Sequence, residues 1–174
     1  GMIDIIFKYR GTLDKFMGDA ILAVFGAPVP ETDHAIRAVR TALEMQSGMA
    51  AFNAKMRAAG RAELHMGIGL NSGEVIAGNI GSEKRLEYTV IGDPVNLAQR
   101  LESKSGRGEI LISHETWQAV KDQVEAEALA EIVVKNRIQP VRVYRVLGMK
   151  PTTPRDDAPI DRREGEPAPV LQPA

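Results

Sequence analysis

Apolar positions in this chain fall into short runs near its start, one long stretch spaced by threes and fours, and a second series of short runs in its later half. Ile3 to Arg10 carries apolar residues on several sides and stops at Gly11, which reads as the end of a helix with glycine at its exit. Thr12–Met17 and Ala20–Phe25 are two apolar runs joined by Gly18-Asp19, the pattern of a tight hairpin. After the loop GAPVPETDH, in which Thr32 or Asp33 is placed to cap, Ala35–Ala58 carries Ile36, Val39, Leu43 and Ala50 at helical spacing, with Met45, Met49, Phe52 and Met56 beside them. That is a long amphipathic helix.

Beyond it, Ala62–Asn71 alternates like a strand, Glu74–Ile80 follows the Ser72-Gly73 turn, and Lys84–Ile91 begins with charges as a projecting hairpin would. Asp93-Pro94 is a strong helix start, with Asp93 as cap and Pro94 in the first helical position, so Pro94–Ser103 is predicted helical. Glu109–Ser113 reads as a strand, His114–Asp122 as a short helix, and Ala128–Lys135 and Val141–Leu147 as two closing strands. Strands and helices that interleave without strict alternation predict an α+β fold, an antiparallel-rich sheet covered by helices. From Lys150 onward proline and charge dominate, and such a segment buries too little apolar surface to offset chain entropy. The expected organisation is therefore one domain over 2–149 and a disordered tail over 150–174, without internal repeats.

Composition narrows the function classes. The length of 174 residues suits one domain, and 44% hydrophobic residues suffice for a real core. Lys and Arg, 22 together, nearly cancel 23 Asp and Glu, which gives no basic excess for nucleic acid. There is no cysteine, which removes disulfides, thiolate metal sites and a thiol nucleophile. No apolar run approaches the roughly 20 residues of a membrane span, and the start lacks the layout of a secretory signal. The expectation is a soluble, cytoplasmic domain with no nucleic-acid partner.

Candidate chemistry lies in two places. Lys15 and Asp19 interrupt the first hairpin, with Asp19 at its tip, where a carboxylate can hold a divalent ion that also touches phosphate. A turn aspartate and an edge-strand lysine also have a purely structural explanation. Asn96 and Arg100 lie four apart on the helix that follows Asp93, so they share one stripe, a donor-rich surface for phosphoryl or ribose oxygens. Thr89, on the strand just before, adds a hydroxyl that donates and accepts. His34, His65 and His114 are scattered and lack a second ligand at metal spacing, so they read as structural.

The ordered segments DKFMGDAILAVFGAP, HMGIGLNSGEVIAGNIGSEKRLEYTVIGDPVNLAQRLES and VKNRIQPVRVYRV together resemble the class III adenylyl/guanylyl cyclase catalytic domain, from about Ile3 to Leu147. The resemblance implies a ferredoxin-like, palm-like sheet and conversion of ATP to 3′,5′-cyclic AMP and pyrophosphate in intracellular signalling. By that likeness Asp19 is the second of two metal-binding aspartates, holding Mg2+ or Mn2+ in a two-metal-ion phosphoryl transfer. Lys15 and Thr89 occupy the purine-reading positions in the lysine/threonine combination of an adenylyl subclass. Asn96 corresponds to the residue that orients the ribose and Arg100 to the one that stabilises charge on the α-phosphate. Lys135 falls where a lysine serves the terminal phosphates, although Asn136 stands where glycine is usual. The family's sites form between the two chains of a head-to-tail homodimer, Lys15, Asp19, Thr89 and Lys135 of one chain facing Asn96 and Arg100 of the other. The segment from Gly78 to Glu87 resembles its dimerisation arm, and an upstream sensor or regulatory domain is the expected neighbour in a longer chain.

Against that likeness one part is missing. The family's first metal aspartate lies on an opening strand in a motif resembling F-x-D-I-x-G-F, and nothing in GMIDIIFKYRG matches it; Asp4 sits at the end of the next helix. The expectation is an N-terminally shortened fold lacking its first strand, with weak or no turnover on its own and a sheet that needs a substitute strand. The competing reading is a cyclase-like module that dimerises and holds nucleotide without chemistry. A diguanylate cyclase is disfavoured because its GGDEF or GGEEF signature is absent.

Overall fold

The computed structural model describes residues 1–82, 85–133 and 140–151. Chain order is α1 (Met2–Lys8), β1 (Thr12–Met17), β2 (Ala20–Val24), α2 (His34–Ala58), β3 (Ile68–Leu70), β4 (Ile76–Ser82), β5 (Arg85–Ile91), α3 (Asp93–Lys104), β6 (Ile110–Ser113), α4 (His114–Val120), β7 (Val124–Ala128) and β8 (Val143–Met149). Among the described residues the strands form a β1–β2 hairpin, a β4–β5 hairpin and a four-stranded sheet in the order β3-β6-β8-β7. Of the described strand pairs, β3 and β6 run parallel and the others antiparallel. The fold is α+β, as the interleaving of elements predicts.

β6 shows why this sheet holds. Its residues are all buried, and alternate side chains enter different cores. Ile110 and Ile112 join Ala35, Ile36, Val39 and Ala42 of α2 with Val120, Val124 and Val146. Leu111 joins Leu97 and Leu101 of α3 with Val141 and Val143. A continuous apolar strand is required where both faces are covered, and each such side chain contributes about 1.5–3 kcal/mol.

A buried guanidinium ties the entry of α2 to the exit of α1. Arg37 is 5% exposed; its Nε donates to Asp33 Oδ1 at 2.8 Å and its Nη1 donates to the carbonyls of Tyr9 and Arg10 at 2.9 and 3.1 Å. Its other nitrogen pairs with Glu31. On the outer side, Lys8 and Tyr9 both donate to Glu44 of α2.

Several local expectations are corrected. The left-handed residue after α1 is Arg10, with φ 56°, rather than Gly11. Asp33 precedes α2 but makes no capping bond through its side chain, because Arg37 engages that carboxylate. The strand expected over Ala62–Asn71 shrinks to Ile68–Leu70. Upstream of it the buried Asn53 amide takes Leu64's backbone groups, donating to its carbonyl at 2.6 Å and accepting from its N–H at 2.9 Å. The cap of α3 is Gly92, and Asp93 is already helical. Where a strand is expected over Ala128–Lys135, the described residues form a strand over Val124–Ala128, and pairing continues through the Leu129 N–H to the Val143 carbonyl and the bridge between Ile132 and Val141; residues 134–135 lie outside the described residues. The tail beyond residue 151 lies outside the described residues, and no described helix is long and apolar enough to cross a membrane.

Two stability outcomes follow from these contacts. Arg37→Ala removes the side-chain donor from the Tyr9 and Arg10 carbonyls and leaves Glu31 with Arg10 as its remaining ion-pair partner, which lowers unfolding free energy by about 2–3 kcal/mol in urea titration. The hydrogen bonds from Lys8 and then Tyr9 hold Glu44 below its ordinary value of 4.5. Its contribution is therefore present above that value and is lost as pH falls through the lowered one. Wild type should lose more stability than Glu44→Gln on acidification from about pH 6 to about pH 3, and parallel curves would contradict that.

Candidate functional site

The first hairpin carries a bulge: the register with β2 shifts between Leu13 and Lys15. Asp14 is the extra residue, and a bulge re-aims side chains relative to simple alternation. The Asp14 side chain is 3% exposed, whereas that of Lys15 is 41% exposed. β1 packs against β5, where Thr89 is buried. There the Thr89 hydroxyl donates to Asp14 Oδ2 at 2.9 Å, and Lys15 Nζ stands 3.9 Å from the same oxygen. Asp14 Oδ1 is buried and, among the described residues, has no hydrogen-bond partner.

Two of the expected residues, Lys15 and Thr89, therefore converge on a carboxylate, that of Asp14, which is not among the candidate residues above. Strict alternation sends adjacent residues of a strand to opposite faces, and only the bulge lets Asp14 and Lys15 serve one locus. The available signal was the acidic residue itself, since aspartate is disfavoured inside a strand.

Asp19 sits exposed at the hairpin tip beside Gly18. Among the described residues no group of three or more Asp, Glu or His side chains converges as a metal site. A lone tip carboxylate does not meet the ligand demand of a two-ion centre. The metal set implied by the resemblance is thus not assembled by these residues.

The asparagine–arginine stripe rests on a close helix–strand contact. Leu97 and Leu101 are buried beneath α3, Asn96 is exposed and Arg100 half-buried. Gly69 of β3 allows this approach: a Cβ there would lie 2.3 Å from both the Ala98 carbonyl oxygen and the Glu102 nitrogen. Asn71 Nδ2 donates to the Pro94 carbonyl at 3.0 Å, fixing the first turn. Gly92, with φ 155°, joins the end of β5 to α3, a conformation that favours glycine. The two sets of residues stand on separate supports, Lys15 and Thr89 on the paired hairpins and Asn96 with Arg100 on β3 and β6. Lys135 lies outside the described residues.

The sequence matches the adenylate and guanylate cyclase catalytic domain over residues 5–148. The chain belongs to this family. Adenylate cyclase 1 of Rhizobium meliloti is 34% identical over 148 residues, covering 84% of this chain and 22% of that protein. The chain thus spans about a fifth of that relative's length. The crystal structure of the adenylyl cyclase CyaB from P. aeruginosa aligns with TM-score 0.81 at 39% identity, covering 86% of this chain and 78% of that one. The guanylyl cyclase Cya2 aligns with TM-score 0.80 at 44% identity, covering 86% and 76%. A cyclase fold accounts for the layout above, while an adenylyl and a guanylyl neighbour resemble it equally well. The choice of base must then rest on a few side chains.

Because α3 sits directly on Gly69, Gly69→Ala should lower stability by about 2–3 kcal/mol through overpacking. Thermal unfolding of the variant measures this, and an unchanged midpoint would contradict the seating of α3.

Proposed function

We propose that this chain is the catalytic domain of an adenylyl cyclase that makes 3′,5′-cyclic AMP from ATP. The observation that carries the reading is the convergence of Lys15 and Thr89, from β1 and β5, on the same Asp14 oxygen. An ammonium only donates, which matches the N1 acceptor of adenine and opposes the N1–H of guanine. The Thr89 oxygen takes a hydrogen bond from the exocyclic amine. Asn96 orients the ribose, Arg100 receives charge that develops on the α-phosphate, and Lys135 engages the terminal phosphates. In the reaction the 3′-oxygen forms a bond to the α-phosphorus and loses its proton as the bond to the leaving pyrophosphate breaks. The unit that performs it is residues 2–149, with 150–174 a tail.

Separate supports for the two residue sets favour a homodimer, in which one chain presents the base site and its partner the stripe on α3. The β4–β5 hairpin, which spans the proposed arm from Gly78 to Glu87, exposes Ile76, Tyr88 and Ile91, apolar surface that suits an interface. A Mg2+ or Mn2+ ion would use Asp19 together with carboxylates beyond those the described residues bring together. That shortage favours a second reading, a nucleotide-holding dimer module without turnover.

Incubation with manganese and ATP or GTP separates the two readings. The first predicts slow cyclic AMP formation in excess of cyclic GMP, whereas nucleotide binding without product selects the second. Arg100→Ala should lower turnover by about 10²–10³-fold while ATP affinity changes little. A loss confined to affinity would remove Arg100 from the transition state. Lys15→Glu combined with Thr89→Cys should move preference toward GTP, and an unchanged preference would retire the base assignment.

A further inference from the structure

Thr89 by itself does not choose between purines. A hydroxyl has one hydrogen and two lone pairs, so it can accept from the 6-amino group of adenine or donate to the 6-oxo group of guanine. Its surroundings decide. The Thr89 hydroxyl hydrogen is already directed to Asp14 Oδ2 at 2.9 Å, and that side chain is 3% exposed, so water does not compete for it. A carboxylate accepts and does not donate, and the hydroxyl has no second hydrogen to offer.

We propose that Asp14 is a specificity-setting positioning residue: by holding the Thr89 hydroxyl hydrogen it leaves Thr89 only acceptor capacity toward the ligand, which selects a 6-aminopurine over a 6-oxopurine nucleotide. This rests on the reading of Lys15 and Thr89 as base contacts. A guanine at that place would set its 6-oxo acceptor against an acceptor, unless Thr89 abandoned Asp14 and left a buried carboxylate with neither oxygen hydrogen-bonded among the described residues. A strap between β1 and β5 does not explain the residue well. Oδ1 is buried with no partner among the described residues, and a half-satisfied buried carboxylate is a poor source of stability. Lys15 Nζ, 3.9 Å from Oδ2, tempers the negative charge from beyond hydrogen-bond distance and leaves the Thr89 contact undisturbed.

The test is the ratio of ATP to GTP affinity of the full chain, measured by titration calorimetry with non-reactive analogues of the two nucleotides. Asp14→Asn keeps the shape but lets the side-chain amide donate to Thr89, freeing the hydroxyl hydrogen for the ligand. The ratio should fall about tenfold. Asp14→Ala frees the same hydrogen without an amide and should move the ratio the same way, so the result does not depend on one variant folding. Thr89→Val should also lower the ratio, and adding Asp14→Asn to it should change nothing more, since both act through one hydroxyl. If the Asp14 variants keep the wild-type ratio while Thr89→Val alters it, Asp14 is a structural strap and the inference is overturned, with the base reading intact. If wild type binds both nucleotides equally or neither, or Thr89→Val leaves the ratio unchanged, the base reading fails and takes the inference with it.

Discussion

A buried carboxylate that takes a hydroxyl hydrogen from a neighbouring hairpin is the contact on which this account turns. Asp14 and Thr89 lie 75 positions apart in the chain, and their hydrogen bond links two hairpins that belong to different sheets. Removing a carboxylate from water costs several kcal/mol, and among the described residues one oxygen receives a single hydroxyl hydrogen bond with a lysine nearby. Such an arrangement contributes little net stability. What it supplies is a hydroxyl with a fixed sense, beside an ammonium that reaches solvent.

The rest of the fold is a means of holding that locus and the α3 stripe rigidly. β6, buried on both faces, joins the core under α2 to the core under α3. Gly69 brings α3 against β3, while Arg37 and Glu44 clamp α1 to α2 at the root of the first hairpin. Rigid elements hold reacting groups to better tolerance than loops do. Asn96 and Arg100 are carried on α3, and Lys15 and Thr89 on paired strands.

Much of this was legible along the chain. The three- and four-residue spacing of Ile36, Val39 and Leu43 marks α2, and Gly18-Asp19 marks the hairpin turn. Asn96 and Arg100 fall on one helix by spacing alone. What was not legible depended on tertiary partners. Asn53 reaches 11 residues along the chain to occupy Leu64's backbone, so an alternating segment does not pair as a strand. Asp33 stands at the N-cap position of α2 as expected, but its carboxylate is drawn to Arg37 and makes no side-chain capping bond. Above all, the register shift that turns Asp14 inward leaves no periodic trace. A residue that periodicity leaves unmarked becomes the buried neighbour of both Lys15 and Thr89.

The central claim is that one chain reads an adenine while a second chain handles its ribose and phosphates. The most direct measurement is a crystal structure of this chain with a non-reactive ATP analogue and manganese. The account predicts the adenine against Lys15 and Thr89 of one protomer, with the ribose and α-phosphate against Asn96 and Arg100 of its partner. A nucleotide bound with its base away from Lys15 and Thr89, or contacted by both residue sets of a single protomer, would contradict it.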